Sequence, residues 1–157
     1  MNIFALQTDP YYAAIDHHDK HVVKMILETA QMLCTNCHYL DIKMPYKPVM
    51  LNHPCTIWAR ETDSNFRWLI DLGIALCREY EHRYNKVHKS FAVIKQVMAS
   101  PAAFKLPKGD LTKFAEAMPD QYKHPSDPVQ SYRQYYIQEK VQQSKWTKRE
   151  VPSWITK

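Results

Sequence analysis

The sequence predicts an all-α fold: one compact helical domain over residues 1–157 with long irregular loops. Three observations carry this. Apolar residues recur at helical spacing in two long stretches, around residues 19–39 and 65–85. Asp-Pro pairs at Asp9-Pro10 and Asp127-Pro128 have the cap-then-proline chemistry of helix starts. Strand-like alternation is not sustained over four residues, except at the N-terminus.

In chain order, Met1–Leu6 is a short apolar opening, extended or barely ordered. A helix is expected from Pro10 to about His18. Asp19 either caps a second start or lies within a continuing helix that reaches about Tyr39. Residues 41–54 hold three prolines and read as a loop. Pro54 opens a short helix through Trp58 to Arg60. Asp63 or Ser64 caps the next one, from about Asn65 to Asn85. Gly73 inside that helix costs about 1 kcal/mol against alanine, which points to a close helix approach. Residues 89–99 form another helix, stopped by Ser100-Pro101. Residues 101–127 are irregular, with a turn of helix at Thr112–Ala117, and a last helix runs from Asp127-Pro128 to about Trp146.

The chain carries a formal charge of +5, which favours an anionic partner such as nucleic acid. Its two glycines, Gly73 and Gly109, exclude a glycine-rich phosphate loop. No apolar run is long enough to span a membrane and no signal-peptide pattern opens the chain, so a cytoplasmic location without membrane contact is expected. Cys34 and Cys37, followed by His38, resemble half a zinc site that His53 and Cys55 would complete; the alternative is buried, inert thiols, Cys77 included.

The stretch from His17 to Gln31 holds the main chemical candidates. On one continuous helix, His17, His21, Lys24, Glu28 and Gln31 would form a file about 80° wide between apolar shoulders. A file that narrow suits a helix lining a cleft; the alternative is an ordinary exposed face with a Lys24–Glu28 pair. In a cleft, Glu28 is partly desolvated by Met25, Leu27 and Met32 and placed for acid/base work. Lys24 is then an amine nucleophile or anion clamp, and His17 and His21 phosphate contacts or proton relays. A metal-dependent hydrolase using His17, His21 and His53 stays open, although no metal or other cofactor is expected. Cations interleaved with aromatics suggest phosphate and base contacts: Lys47 with Tyr46, Arg60 with Trp58, and Lys148 and Arg149 with Trp146. Trp58 and Trp68 are alternatively core anchors.

The spacing of His21 and Glu28, the stretch from His53 to Tyr84 and the Trp146-Thr147-Lys148 tail resemble the small helical pyrimidine-dimer DNA glycosylases with abasic-site lyase activity of phages and bacteria. The resemblance covers about the first 85 residues and the tail; residues 86–130 have no counterpart. It implies cleavage of an N-glycosidic bond in damaged or modified DNA, in duplex form, with an N-terminal amine as nucleophile and Glu28 as acid/base. Met1 then supplies the amine, because the bulky Asn2 disfavours removal of the methionine and the family's threonine is not matched. Otherwise Lys20 or Lys24 substitutes, or the lyase step is lost. His17, Lys20, Lys47, His53, Arg60, Lys148 and Arg149 are the expected nucleic-acid contacts. The alternatives are an enzyme of the same fold acting on a free or modified nucleotide, and a non-catalytic DNA-binding or inhibitor protein.

Overall fold

The computed structural model describes residues 1–155. Among them there are helices and no strands, as the sequence predicts. Helix α1 spans Pro10–Asp16, with the Asp9 carboxylate accepting from the Tyr11 amide. It stops at His17 rather than continuing, and α2 spans Asp19–Tyr39. His18 caps α2, its ring nitrogen accepting from the His21 amide. Helix α3 (Pro54–Ala59) is capped by the His53 ring. Helix α4 (Asp63–Tyr84) is capped by Thr62 rather than by Asp63 or Ser64, and closes on Asn85 in the left-handed region at φ 54°. Those two side chains are used elsewhere: the Asp63 carboxylate accepts from the Gly109 amide and the Ser64 hydroxyl donates to the Gly109 carbonyl, tethering a distant loop.

Helices α5 (Ser90–Ala99) and α6 (Ala102–Lys105) follow. Residues 111–117 are not helical, contrary to expectation. Asn65 captures this stretch instead, accepting from the Thr112 amide and donating to the Thr112 hydroxyl. Helix α7 (Pro128–Tyr135) is capped by Asp127 and runs into a π turn, Tyr136–Lys140. It ends well before Trp146, because Trp146 turns inward and donates its indole N–H to the Asp16 carbonyl.

The centre of the fold is α2 packed against α4, with α5 against both, α1 against α4 and α3 against α2. The shared core includes Ile26, Leu33, Phe66, Leu69 and Leu76. Gly73 marks the closest approach: a Cβ there would lie 3.0 Å from Ile94 Cδ1 and 3.0 Å from Thr29 Cγ2. Trp58 and Trp68 are core residues, their rings meeting edge to face at 5.8 Å. The opening segment is also core: Ile3, Phe4, Ala5 and Leu6 are all buried. No helix among the described residues is long and apolar enough to cross a membrane.

One buried ion network joins the break between α1 and α2 to α4. The Arg83 guanidinium is out of contact with solvent. It donates to Glu79, to Asp19 and to the carbonyls of Ile15 and His17. Burial works to raise the pKa values of Glu79 and Asp19, but the hydrogen bonds from Arg149, Arg83 and Thr147 together hold both carboxyls below their ordinary range. Breaking such a network at one member strands the remaining charges in a dry environment. Arg83→Met is therefore expected to destabilise the protein by about 3–5 kcal/mol in urea unfolding. A loss below about 1 kcal/mol would mean that the network contributes little.

Candidate functional site

The N-terminal segment delivers the first residue to α2. Asn2 is the pivot: its Oδ1 accepts from the Ile3 and Phe4 amides, and its Nδ2 donates to the Ala117 carbonyl at 2.8 Å. Phe4 takes up a positive φ of 34°, and its ring lies 4.6 Å from that of His21. Arg133 fixes the far end of the segment by donating to the Leu6 carbonyl. Held at both ends, the segment places the Met1 α-amine 3.1 Å from Glu28 Oε1. Lys24 Nζ lies 3.7 Å from Glu28 Oε2, one helical turn back along α2.

This pair sits where two concavities meet. The first, of about 400 Å³, is lined among others by Met1, His21, Lys24, Glu28, His53, Glu116, Tyr135 and Lys140. The second, of about 340 Å³, shares Met1, Lys24 and Glu28 and adds Leu27, Gln31, Val49 and Met50. One side is polar and the other largely apolar, with the amine and carboxylate on the ridge between them. Glu28 is 14% exposed, while Lys24 is 68% exposed at the rim. Of the file foreseen along α2, His21, Lys24 and Glu28 therefore line one cleft.

His53 belongs to the same cleft. Its Nδ1 accepts from the Cys55 amide at 3.1 Å, which leaves the proton of the neutral ring on Nε2. Burial and then the Met1 amine push its pKa below the ordinary value, against the opposing pull of Glu28. His53 thus helps to cap α3 and at the same time senses the amine–carboxylate pair.

Several expected contacts lie elsewhere. His17 is not on α2: it follows α1, is 1% exposed, and hydrogen-bonds through Nδ1 to the Ala13 carbonyl, so it offers nothing to a phosphate. Arg60 donates to Asn36 and the Leu51 carbonyl and lies over the Tyr39 ring. Lys148 donates to the His82 carbonyl, and Arg149 grips Glu79. The tail is therefore a clasp across α1, α2 and α4 rather than a free binding surface, with Thr147 on Asp19 as its third hook. Lys20 and Lys47 are exposed but do not line the cleft. Glu116, Tyr135 and Lys140, which do line it, were not among the expected contacts: Glu116 comes from the stretch without a family counterpart, and Tyr135 and Lys140 from the last helix and the π turn that continues it.

No group of three or more His, Cys, Asp or Glu among the described residues is arranged to hold a metal ion, so neither the half-zinc site nor the His17, His21 and His53 set forms. The four cysteines are free and buried. Burial raises all four thiols, Cys55 to about 11 and Cys37 and Cys77 to about 12, which makes them poor nucleophiles at neutral pH.

No family model, curated protein or solved structure matches the chain.

The histidines at the head of α2 set an acid limit on the site. Burial is the main cause pushing His17 down to about 3, His18 to about 4 and His21 to about 2, from an ordinary 6.5. Buried His21 Nδ1 and His17 Nε2 have no hydrogen-bond partner. Since the folded values lie below the unfolded one, unfolding takes up protons once the pH drops below about 6.5. Stability is then full above that pH and falls as it is lowered, by up to about 1.4 kcal/mol per pH unit for each histidine. Urea midpoints are expected to drop steeply between pH 6.5 and 4.5. A flat profile over that window would show that these rings accept protons in the folded state.

Proposed function

We propose that the protein cleaves an N-glycosidic bond in DNA through a covalent imine between the Met1 α-amine and C1′ of the target nucleotide. The observation that supports this reading is the Met1–Glu28 pair, 3.1 Å apart where the two concavities meet. An amine nucleophile needs a partner that takes its proton and later returns one, and a carboxylate in hydrogen-bond reach meets that requirement.

Glu28 accepts a proton from the ammonium group of Met1, and the neutral amine attacks C1′. The C1′–N bond to the base breaks, its electron pair leaves on the base, and the proton shed by the attacking nitrogen neutralises the departing base. Glu28 then returns the proton to O4′ as the sugar ring opens, and an imine forms between Met1 and C1′. Loss of a C2′ proton from that imine expels the 3′ phosphate by β-elimination, and water releases the enzyme. Lys24, with Nζ 3.7 Å from Glu28 Oε2 and exposed at the rim, has the position to meet a phosphate. An α-amine ordinarily titrates near about 8 and a lysine near about 10.4, so an α-amine is the more available nucleophile at neutral pH. Exposure of Lys24 to water leaves it without the burial that activates catalytic lysines.

A second reading, action on a free or modified nucleotide, is favoured by the fate of the cations. Arg60, Lys148 and Arg149 are engaged within the fold, which leaves Lys24 and Lys140 as the cations on the first concavity. Duplex binding through these two would give a slope of only about −2 in log K against log salt. A slope of −2 or steeper supports DNA as the substrate; no salt dependence, with equal affinity for a mononucleotide, supports the second reading.

The chemistry is tested by borohydride trapping on an oligonucleotide containing an abasic site. Trapped adduct is expected from the wild type and from Lys24→Ala. Adduct should fall by at least about 100-fold in Glu28→Gln, in line with loss of an acid/base group. It should vanish when two or more residues are added ahead of Met1. Intact trapping by the extended chain, lost in Lys24→Ala, would make Lys24 the nucleophile. Absence of adduct from every form would remove imine chemistry altogether.

A further inference from the structure

Glu116 is the feature of the cleft that the proposed chemistry leaves unused. It lies in the irregular stretch between α6 and α7, yet its backbone is fixed on both sides. The Tyr132 hydroxyl donates to the Ala115 carbonyl and accepts from the Ala117 amide, while Asn2 donates to the Ala117 carbonyl. Glu116 lines the same concavity as Met1 and Glu28. Oε1 meets Lys113 at 3.4 Å, whereas Oε2 is buried without any hydrogen-bond partner. Leaving such an oxygen unpaired costs about 1–3 kcal/mol, more for a charged group, so a rigidly mounted carboxylate in this state calls for an explanation. Of the other polar groups nearby, Asn2 is engaged with backbone, and Glu28 with Met1 and Lys24.

We propose that Glu116 is the base-reading residue of the cleft, accepting a hydrogen bond from the exocyclic amino group of a nucleobase. The proposal rests on the nucleotide-cleaving reading above and names the substrate class within it. The terminal torsion of glutamate is soft, so a turn of the carboxyl plane brings an oxygen to a ligand without moving the pinned backbone. A carboxylate pairs with the amino group of cytosine and has no donor to offer a carbonyl. Uracil and thymine carry a carbonyl at the equivalent position, and their imide N–H is flanked by carbonyl oxygens that repel a carboxylate. The cleft is thereby biased toward amino-bearing bases and away from thymine. Because Glu116 falls in residues 86–130, where the resemblance to pyrimidine-dimer glycosylases gives out, a different base preference is consistent with the sequence.

The test is equilibrium binding, independent of catalysis. 2′-Deoxycytidine 5′-monophosphate and 2′-deoxyuridine 5′-monophosphate differ at the group in question, and 2-deoxyribose 5-phosphate has no base. By NMR titration of the full chain, the cytidine nucleotide is expected to bind at least about tenfold more tightly than the uridine nucleotide, as a charge-assisted hydrogen bond would give. Glu116→Gln, whose amide can donate or accept, should bring the two within about threefold and leave the sugar phosphate unchanged, which also shows that the variant is folded. Equal affinities in the wild type, a preference that survives in Glu116→Gln, or no binding of either nucleotide at millimolar concentration overturns the proposal. Trapping on the abasic oligonucleotide, which presents no base, is measured on the wild type and reads the imine chemistry separately. If trapping fails while the Glu116-dependent preference stands, the imine reading falls and the base-reading role remains.

Discussion

Burial of the first six residues is the constraint on which the cleft depends. An N-terminus is ordinarily a loose, hydrated end. Here Ile3 to Leu6 are part of the core, with the Phe4 ring against His21 of α2 and Tyr132 and Tyr135 of α7, so the chain cannot withdraw its terminus without exposing core. Burying four apolar side chains stabilises this arrangement by several kcal/mol, roughly 1.5–3 for each large one. The two Asn2 hydrogen-bonding groups convert that burial into a direction, turning Met1 toward Glu28. The amine is thus held by packing as well as by its ion pair with Glu28, whose side chain is 14% exposed.

The same economy governs the charges. A positive net charge suggests a surface ready for an anion, but charge on a sequence is not charge on a surface. Arg83 is wholly internal and Arg149 closes on Glu79, so two arginines stabilise the junction of α1, α2 and α4. The tail that carries Trp146, Thr147 and Arg149 makes its contacts through Asp16, Asp19 and Glu79. What lines the cleft is a small set of groups: an amine, its carboxylate, a rim lysine, the His53 ring, and a second carboxylate that meets Lys113 through one oxygen and leaves the other unpaired.

Much of this was legible in the sequence where local chemistry decides the outcome. The Asp-Pro starts at residues 9 and 127, the close packing at Gly73 and the shared facing of His21, Lys24 and Glu28 follow from caps and helical period. Long-range competition hid the rest. His17 left the α2 file because Arg83, distant in sequence, takes the His17 and Ile15 carbonyls and stabilises a break there. Thr62 displaced Asp63 and Ser64 as a cap because Gly109, some 45 residues on, engages both. Glu116 had no signal at all: it sits in an extended loop without periodicity, and its importance comes from Tyr132 and Asn2 fixing the backbone beside it.

The central claim is that the amine placed against Glu28 is the one that bonds to the sugar. Peptide mapping by mass spectrometry of a borohydride-reduced adduct locates that bond directly. The sugar remnant is predicted on the peptide that begins at Met1, attached to its α-nitrogen. A remnant on Lys24, or on any other lysine, would contradict it.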